Sequence, residues 1–404
     1  MLTNSSTVST SVAVPKHPRD MTPEQLEAAI QENMKVITSH FDERFTRSLV
    51  AEVLEFLRIY FRPVYVGFEA MPERRNEEVP MIFAMNHSGM SFPWDAIMFG
   101  CGLLEKFDFD PRNVFRALAA PMLSASTLMN PFLLENMWKR VGAIDATSLN
   151  FETMMNQHEY DVLIYPEGVP GIGKGFNRKY QLQTFSTSMI RMALKYKTDI
   201  VGMFCINGEY INPYSYSWKW FDRQWEKLGI PFMPIGFLTF AMIFQPWIYY
   251  AALPAKLTYV RGKRYKPCDM TDIPWDEITL EEITRIRDEI QAGMQQELDE
   301  AVRQYGQSPF NLKELLPLLL KNWRQLPYTI PVGWPALFTE YDRRYAKEGE
   351  LPTRITRGWF KFWQIVFKNP IVIAYFIPIF GWIPIAVRGM RGRRKVKPWG
   401  GSKA

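Results

Sequence analysis

Two short runs in which every residue is apolar, Met81-Ile82-Phe83-Ala84-Met85 and Val162-Leu163-Ile164-Tyr165, constrain this chain more than any other feature. A strand that is apolar at each position, not only at every second one, has no face to turn to water and must be covered on both sides. Such strands alternate with helical patterns from about residue 64 to residue 270. They predict an α/β fold with a central, mostly parallel sheet covered by helices. Each run leads into a small polar turn, Asn86-His87-Ser88 after the first and Pro166-Glu167-Gly168 after the second. Open α/β sheets bind ligands at the C-terminal ends of their strands, so these turns are the expected site.

The residue types in the turns suit acyl transfer. A histidine in a glycine-containing turn takes a proton from an alcohol, and a carboxylate nearby, here Asp95, holds the imidazole in one tautomer and stabilises its charged form. Ser88 and Ser91 lack the G-x-S-x-G setting of an elbow nucleophile, so direct attack by the acceptor hydroxyl is simpler than an acyl-enzyme. Glu167 is placed to hydrogen-bond a hydroxyl, and Gly168 permits close backbone approach.

Taken together the blocks resemble the glycerolipid acyltransferase family. The matching positions are Asn86-His87 with Asp95, Val141-Gly142-Ala143-Ile144-Asp145, Tyr165-Pro166-Glu167-Gly168, and Ile200-Val201-Gly202-Met203-Phe204 leading into Asn207-Gly208-Glu209. They cover roughly residues 60 to 270, about half the chain. The resemblance implies a membrane-associated O-acyltransferase with acyl-coenzyme A or acyl-carrier protein as donor, a lipid alcohol as acceptor, and no cofactor or metal. His87 is then the general base and Asp95 its orienting partner, with Asn86, Ser88, Glu167 and Gly168 at the substrate.

Two departures bear on the substrate. Seven residues, including Phe92-Pro93, separate His87 from Asp95, a longer spacing than the family's usual one. Pro93 must turn the chain so that Asp95 opens the helix beginning at Ala96. The spacing resembles the branch that esterifies neutral lipid alcohols. The arginines that phosphate-using members carry after the second and third blocks are replaced by Ala146-Thr147 and Val169-Pro170. Guanidinium groups hold phosphate bidentately, so their absence favours a neutral acceptor. Lys174 and Arg178, with Lys179, supply the alternative, a lysophospholipid acceptor or the donor's phosphates. A membrane scaffold without turnover is the non-enzymatic alternative.

Gly168-Val169-Pro170-Gly171-Ile172-Gly173-Lys174-Gly175 also fits the first seven positions of a phosphate-cradling nucleotide loop. Gly175 stands where magnesium needs Ser or Thr, and Pro170 removes an N–H from the cradle, which argues against nucleotide hydrolysis.

The flanks divide the 404 residues into a disordered tail at 1–21, a helical segment at 22–62, the acyltransferase domain at 63–305 and a membrane-associating extension at 306–404. The opening is rich in Ser and Thr, without the apolar core of a secretory signal. Thr22-Pro23-Glu24-Gln25 and Thr279-Leu280-Glu281-Glu282 have the form of capping boxes. Behind the first, Leu26, Ile30, Met34, Ile37 and Phe41 lie on one helical face, a stripe that continues through Leu49, Val53, Phe56, Leu57 and Tyr60. Behind the second, Ile283, Ile286, Ile290, Met294, Leu298 and Val302 do the same.

Leu228–Ala255 and Asn369–Val387 contain no charged residue but are broken by prolines. The first reads as an insertion lying in one leaflet or as buried core. The second reads as a span, a re-entrant hairpin or an interfacial platform. After it come Arg388, Arg391, Arg393, Arg394, Lys395 and Lys397, which account for much of the net charge of +6. Such a cluster is drawn to anionic lipid by about 1 kcal/mol per residue near the surface. Aromatics at 15%, with 13 Trp and 18 Tyr, suit a membrane interface. The basic flanks favour the cytoplasmic face, and no nucleic-acid-binding module accompanies the charge. Three cysteines and four scattered histidines form neither a disulfide framework nor a metal site.

Overall fold

The computed structural model describes residues 17–89, 92–110, 113–218, 220, 223, 235–348 and 354–395. Most of the expected N-terminal tail, Met90 and Ser91 of the histidine turn, the start of the Leu228–Ala255 stretch, and Lys397 lie outside the described residues. Among the described residues, seven strands form one sheet: β1 (Val64–Val66), β2 (Ile82–Met85), β3 (Phe115–Ala119), β4 (Ile144–Asp145), β5 (Asp161–Ile164), β6 (Ile200–Ile206) and β7 (Thr258–Tyr265). Their order is β1-β7-β6-β2-β5-β3-β4, and every pairing is parallel except β6 with β7. β2 lies between β5 and β6, with Ile82 opposite both Val162 and Ile200.

All residues of β2, β5 and β6 are buried, as uninterrupted apolar runs require. The pleat sends alternate side chains to opposite sides. Phe83, Met85, Leu163, Val201 and Met203 enter one core, and Ile82, Ala84, Val162, Ile164 and Ile200 enter the other. The second core is closed by the helices Ser148–Met155, Ser188–Tyr196 and Leu280–Tyr305. Ile283, Ile286, Ile290, Met294 and Leu298 are all buried there. Thr279 caps that helix through the Glu282 N–H at 3.2 Å, but the Glu282 carboxylate turns to Arg285, so only half of the capping box forms.

At the N-terminus the box forms completely, with Thr22 and Gln25 each bonding the other's backbone N–H. The helix Pro23–His40 packs on Ser148–Met155 through buried Asn33, whose amide donates to Asn150 at 2.8 Å and Thr153 at 2.9 Å. The stripe from Leu49 to Tyr60 is buried throughout, crossing a π-helical turn at Val50–Leu54. It is core of the first layer. Buried Arg62, in the left-handed region at φ 46°, closes this segment by donating to the carbonyls of Tyr60, Pro254 and Phe310.

The C-terminal residues divide between core and surface. Tyr328, Trp334 and Tyr341 are completely buried, and the Trp334 ring lies 4.8 Å from that of Trp94, so this part of the expected extension belongs to the first core. Leu228–Ala255 divides in the same way. Phe237, Phe240 and Phe244 on the helix Phe237–Phe244 are exposed, whereas Tyr250 and Ala255 are fully buried after Pro246 turns the chain inward. Asn369–Val387 is broken into the helix Pro370–Ala374 and the start of Trp382–Lys395. Among the described residues no helix is long and apolar enough to cross a membrane.

The segments that carry these exposed apolar side chains adjoin one another. Trp359 Nε1 donates to the Trp323 carbonyl, joining the helix Trp359–Lys368 to the end of Leu312–Lys321. Ile379 N–H and Trp382 Nε1 donate to the carbonyls of Phe244 and Met242, joining Trp382–Lys395 to Phe237–Phe244. Leu320, Phe360, Phe367 and Phe380, each more than 70% exposed, lie along this connected set. They belong to connected segments and are not solitary exposed residues.

Candidate active site

The parallel neighbours β6, β2 and β5 end side by side, and each is followed within three residues by a polar side chain: Glu209, His87 and Glu167. Strand-end placement therefore converges all three without help from the longer loops.

Asn86 sets the first of these turns. Its Oδ1 accepts the Cys205 N–H at 2.7 Å and its Nδ2 donates to the Cys205 carbonyl at 3.3 Å, so its amide extends the β2–β6 pairing by one rung. Both ends of the Asn86 side chain are committed to β6. His87 follows, its backbone N–H donating to Glu167 Oε1 at 2.8 Å and its ring stacked on Tyr165 at 4.5 Å. Burial, with the nearby Lys174 charge, lowers the His87 pKa to about 3, so its imidazole is neutral at physiological pH.

Asp95 begins the helix Trp94–Lys106 after Pro93, as the turn required. It is 5% exposed, and its Oδ2 accepts a 2.6 Å hydrogen bond from the Ser88 hydroxyl. Burial raises its pKa against the lowering by Ser88 and the Ala96 N–H. The Asp95 carboxylate thus meets the hydroxyl of Ser88, the chain neighbour of His87.

Glu167 is equally enclosed, at 2% exposure. Oε1 serves the His87 backbone, and Oε2 accepts the Gln183 N–H at 2.7 Å. Burial raises its pKa, against the lowering by Lys174. Gly168, at φ 58°, opens the short helix Gly168–Ile172. Within it Gly171 presses so closely on the site that a Cβ there would lie 2.4 Å from Glu167 Cβ and 2.9 Å from His87 Cδ2.

Lys174 does not point outward as in a phosphate loop. Its fully buried Nζ donates to the Gln181 carbonyl at 3.3 Å, 3.8 Å from Glu167 Oε2 and 3.6 Å from Glu209 Oε1. One ammonium between two carboxylates satisfies a cluster whose members would be costly to bury alone. Arg178 is exposed on the following turn, away from this cluster. At the places of the two missing arginines, Thr147 caps the helix Ser148–Met155 through the Asn150 N–H, and Val169 is exposed.

The structure therefore unites Asn86, His87, Ser88, Asp95, Glu167, Gly168 and Lys174 around the ends of three strands and leaves Arg178 at the margin. Sequence reasoning gave no role to Tyr165, Gly171 or Glu209. Glu209 had a usable signal, because it follows a strand end as His87 and Glu167 do. Gly171 had none, since its contact with His87 is purely tertiary. Among the described residues no group of three or more His, Cys, Asp or Glu side chains is arranged to hold a metal ion.

From Lys174 an aromatic path runs outward. The Phe176 ring lies 5.2 Å from Tyr210 and 5.0 Å from Tyr214, and Tyr210 contacts Phe310 just before the helix Leu312–Lys321. Tyr216 pairs with Ile235, which leads directly into Phe237–Phe244. The loop after Lys174 is thereby joined to the exposed apolar set.

Residues 67–206 match the family model described as Acyltransferase. The chain is 26% identical over 197 residues to uncharacterized proteins of Mycobacterium bovis and Mycobacterium tuberculosis, covering 48% of this chain and 51% of each relative. A Mycobacterium leprae uncharacterized protein is 24% identical over the same length. The chain spans about half the length of these relatives. No solved structure matches it. Residues 67–206, with His87 and Glu167 just past the ends of parallel strands and Asp95 in the helix that follows Pro93, thus form an acyltransferase domain.

Proposed function

We propose that the protein is a membrane-associated O-acyltransferase that moves a fatty acyl group from acyl-coenzyme A or acyl-carrier protein to the hydroxyl of a neutral lipid alcohol, at a cytoplasmic membrane face. The observation that carries this reading is the uncharged His87 ring, held where three parallel strands end, with the neighbouring loop after Lys174 connected through Phe176, Tyr210 and Phe310 toward an exposed apolar surface.

In this mechanism a ring nitrogen of His87 takes the acceptor's hydroxyl proton as the oxygen bonds to the thioester carbonyl carbon. The carbonyl electron pair moves onto its oxygen. Collapse re-forms the C=O bond and breaks the C–S bond, and the imidazolium returns the proton to the departing thiolate. Asp95 favours the imidazolium electrostatically, with Ser88 holding its carboxylate. Glu167 and Asn86 are positioning residues, since their side chains bond the His87 turn and the strand beside it. A neutral acceptor is favoured because Lys174 is engaged by Glu167 and Glu209. A lysophospholipid acceptor would depend on exposed Arg178 and half-buried Lys179.

The test is full-length protein with labelled acyl-coenzyme A or acyl-carrier protein and a panel of diacylglycerol, monoacylglycerol, long-chain alcohol and lysophosphatidate. Transfer to a neutral alcohol is expected, reduced about 100- to 10,000-fold in His87→Ala. Transfer confined to lysophosphatidate would move the acceptor to the phosphate class. No transfer from either donor would leave a non-catalytic scaffold.

A further inference from the structure

Far from His87, a cleft of about 530 Å³ opens between the helix Trp334–Glu348 and the segments around Lys368 and Arg388. Its size is that of a small-molecule site. Arg343, Lys347, Lys368 and Arg388 line it, with Asp342 as its acidic group. Glu340, just beneath, is bonded by Arg343, Arg344 and the Asn369 amide. Asp342 lies 3.3 Å from Arg388 and also faces the adjoining cleft of Glu135 and Arg140. Four lining cations set against the lining Asp342 and the Glu340 beneath it leave the cleft positive. Thr339, 6% exposed, lines the same cleft with its Oγ1 buried and, among the described residues, without a hydrogen-bond partner. Such an orphaned hydroxyl is uncommon in a folded interior and is satisfied by an incoming acceptor.

The mouth borders the apolar surface. Phe367 and Val387, both exposed, are the chain neighbours of Lys368 and Arg388, and Pro370 and Ile371 form an apolar wall. A ligand matched to this juxtaposition is anionic and oxygen-rich at one end and apolar at the other. We propose that the cleft binds the phosphate headgroup of an anionic phospholipid in the leaflet against which the apolar surface lies, with the acyl chains over Phe367 and Ile371. The site rests on the membrane-associated reading above and adds to it a lipid-specific contact remote from the acyl-transfer chemistry.

The experiment measures binding of the full-length protein to phosphatidylcholine vesicles with and without about one-third phosphatidylserine. The variants are Lys347→Glu/Lys368→Glu, Thr339→Val and, as a control for general surface charge, Lys321→Glu/Lys361→Glu. The wild type should prefer the anionic vesicles, and the cleft pair should lose that preference by about tenfold or more while binding neutral vesicles as before. Thr339→Val should weaken anionic binding alone. Glycerol phosphate in solution should compete only weakly, because it lacks the apolar end; full competition would identify a soluble phosphate site instead. If the control pair loses as much as the cleft pair, the attraction is delocalised and the site is refuted. Failure to bind either vesicle would overturn the membrane reading itself, whereas binding without anionic preference would overturn only the cleft.

Discussion

His87 combines two properties that pull in opposite directions. Burial keeps its imidazole neutral and ready to accept a proton, yet the same burial penalises the imidazolium that forms. Asp95 is the group that offsets this penalty in the proposed mechanism, and its carboxylate accepts a hydrogen bond from Ser88. Asp95→Asn should therefore lower kcat more than it raises KM, by about tenfold or more. Ser88→Ala separates two routes: a similar loss means that Asp95 acts through Ser88, and an unchanged rate means that Asp95 engages His87 directly. The lowered pKa also has a consequence for stability. An unfolded histidine protonates below its ordinary pKa of 6.5, while folded His87 refuses the proton until about pH 3. Its contribution is thus present above pH 6.5 and lost as pH falls toward 3. Denaturant midpoints measured across that range should fall less steeply with acid in His87→Ala than in the wild type; equal slopes would mean that His87 is not shielded.

At the scale of elements, the site is assembled by three strand ends and one short helix. The strands bring Glu209, His87 and Glu167 into register, and Gly168–Ile172 then closes over them. Closure depends on Gly171, where even a methyl group would overlap Glu167 and crowd the His87 ring. Gly171→Ala should displace the ring or the Glu167 carboxylate and reduce turnover at least tenfold, with a stability loss of about 1–3 kcal/mol from overpacking. Turnover near the wild-type rate would show that this helix can lift without disturbing the base. The elements themselves were largely legible in the chain: β2 and β5 from their unbroken apolar runs, and Leu280–Tyr305 from its spacing of Ile283, Ile286 and Ile290. The short strands β1 and β4 carried no comparable signal, because a two- or three-residue strand is stabilised by its neighbours more than by its own pattern.

At the scale of the whole molecule, the C-terminal region serves the core and the surface at once. Val372, Tyr375 and Ile385 are buried in the first core, while Phe360, Phe367 and Phe380 face outward. Deleting residues from Asn369 onward should therefore destabilise the fold by several kcal/mol, since even one large buried side chain removed costs about 2–5 kcal/mol. Phe360→Ser/Phe367→Ser/Phe380→Ser should instead leave the denaturation midpoint nearly unchanged and weaken sedimentation with vesicles. Unaltered sedimentation would exclude this surface as the anchor. The α/β class, the two capped helices and the histidine and Pro-Glu-Gly turns were legible in the chain, because they follow from local periodicity and from residue chemistry at strand ends. Lys174 held between Glu167 and Glu209, Asp95 bonded to Ser88, and the division of the described residues of each uncharged stretch between core and surface had no local signal. Those outcomes depend on contacts between residues far apart in the chain, and an apolar side chain carries the same letter whether a neighbouring helix covers it or not.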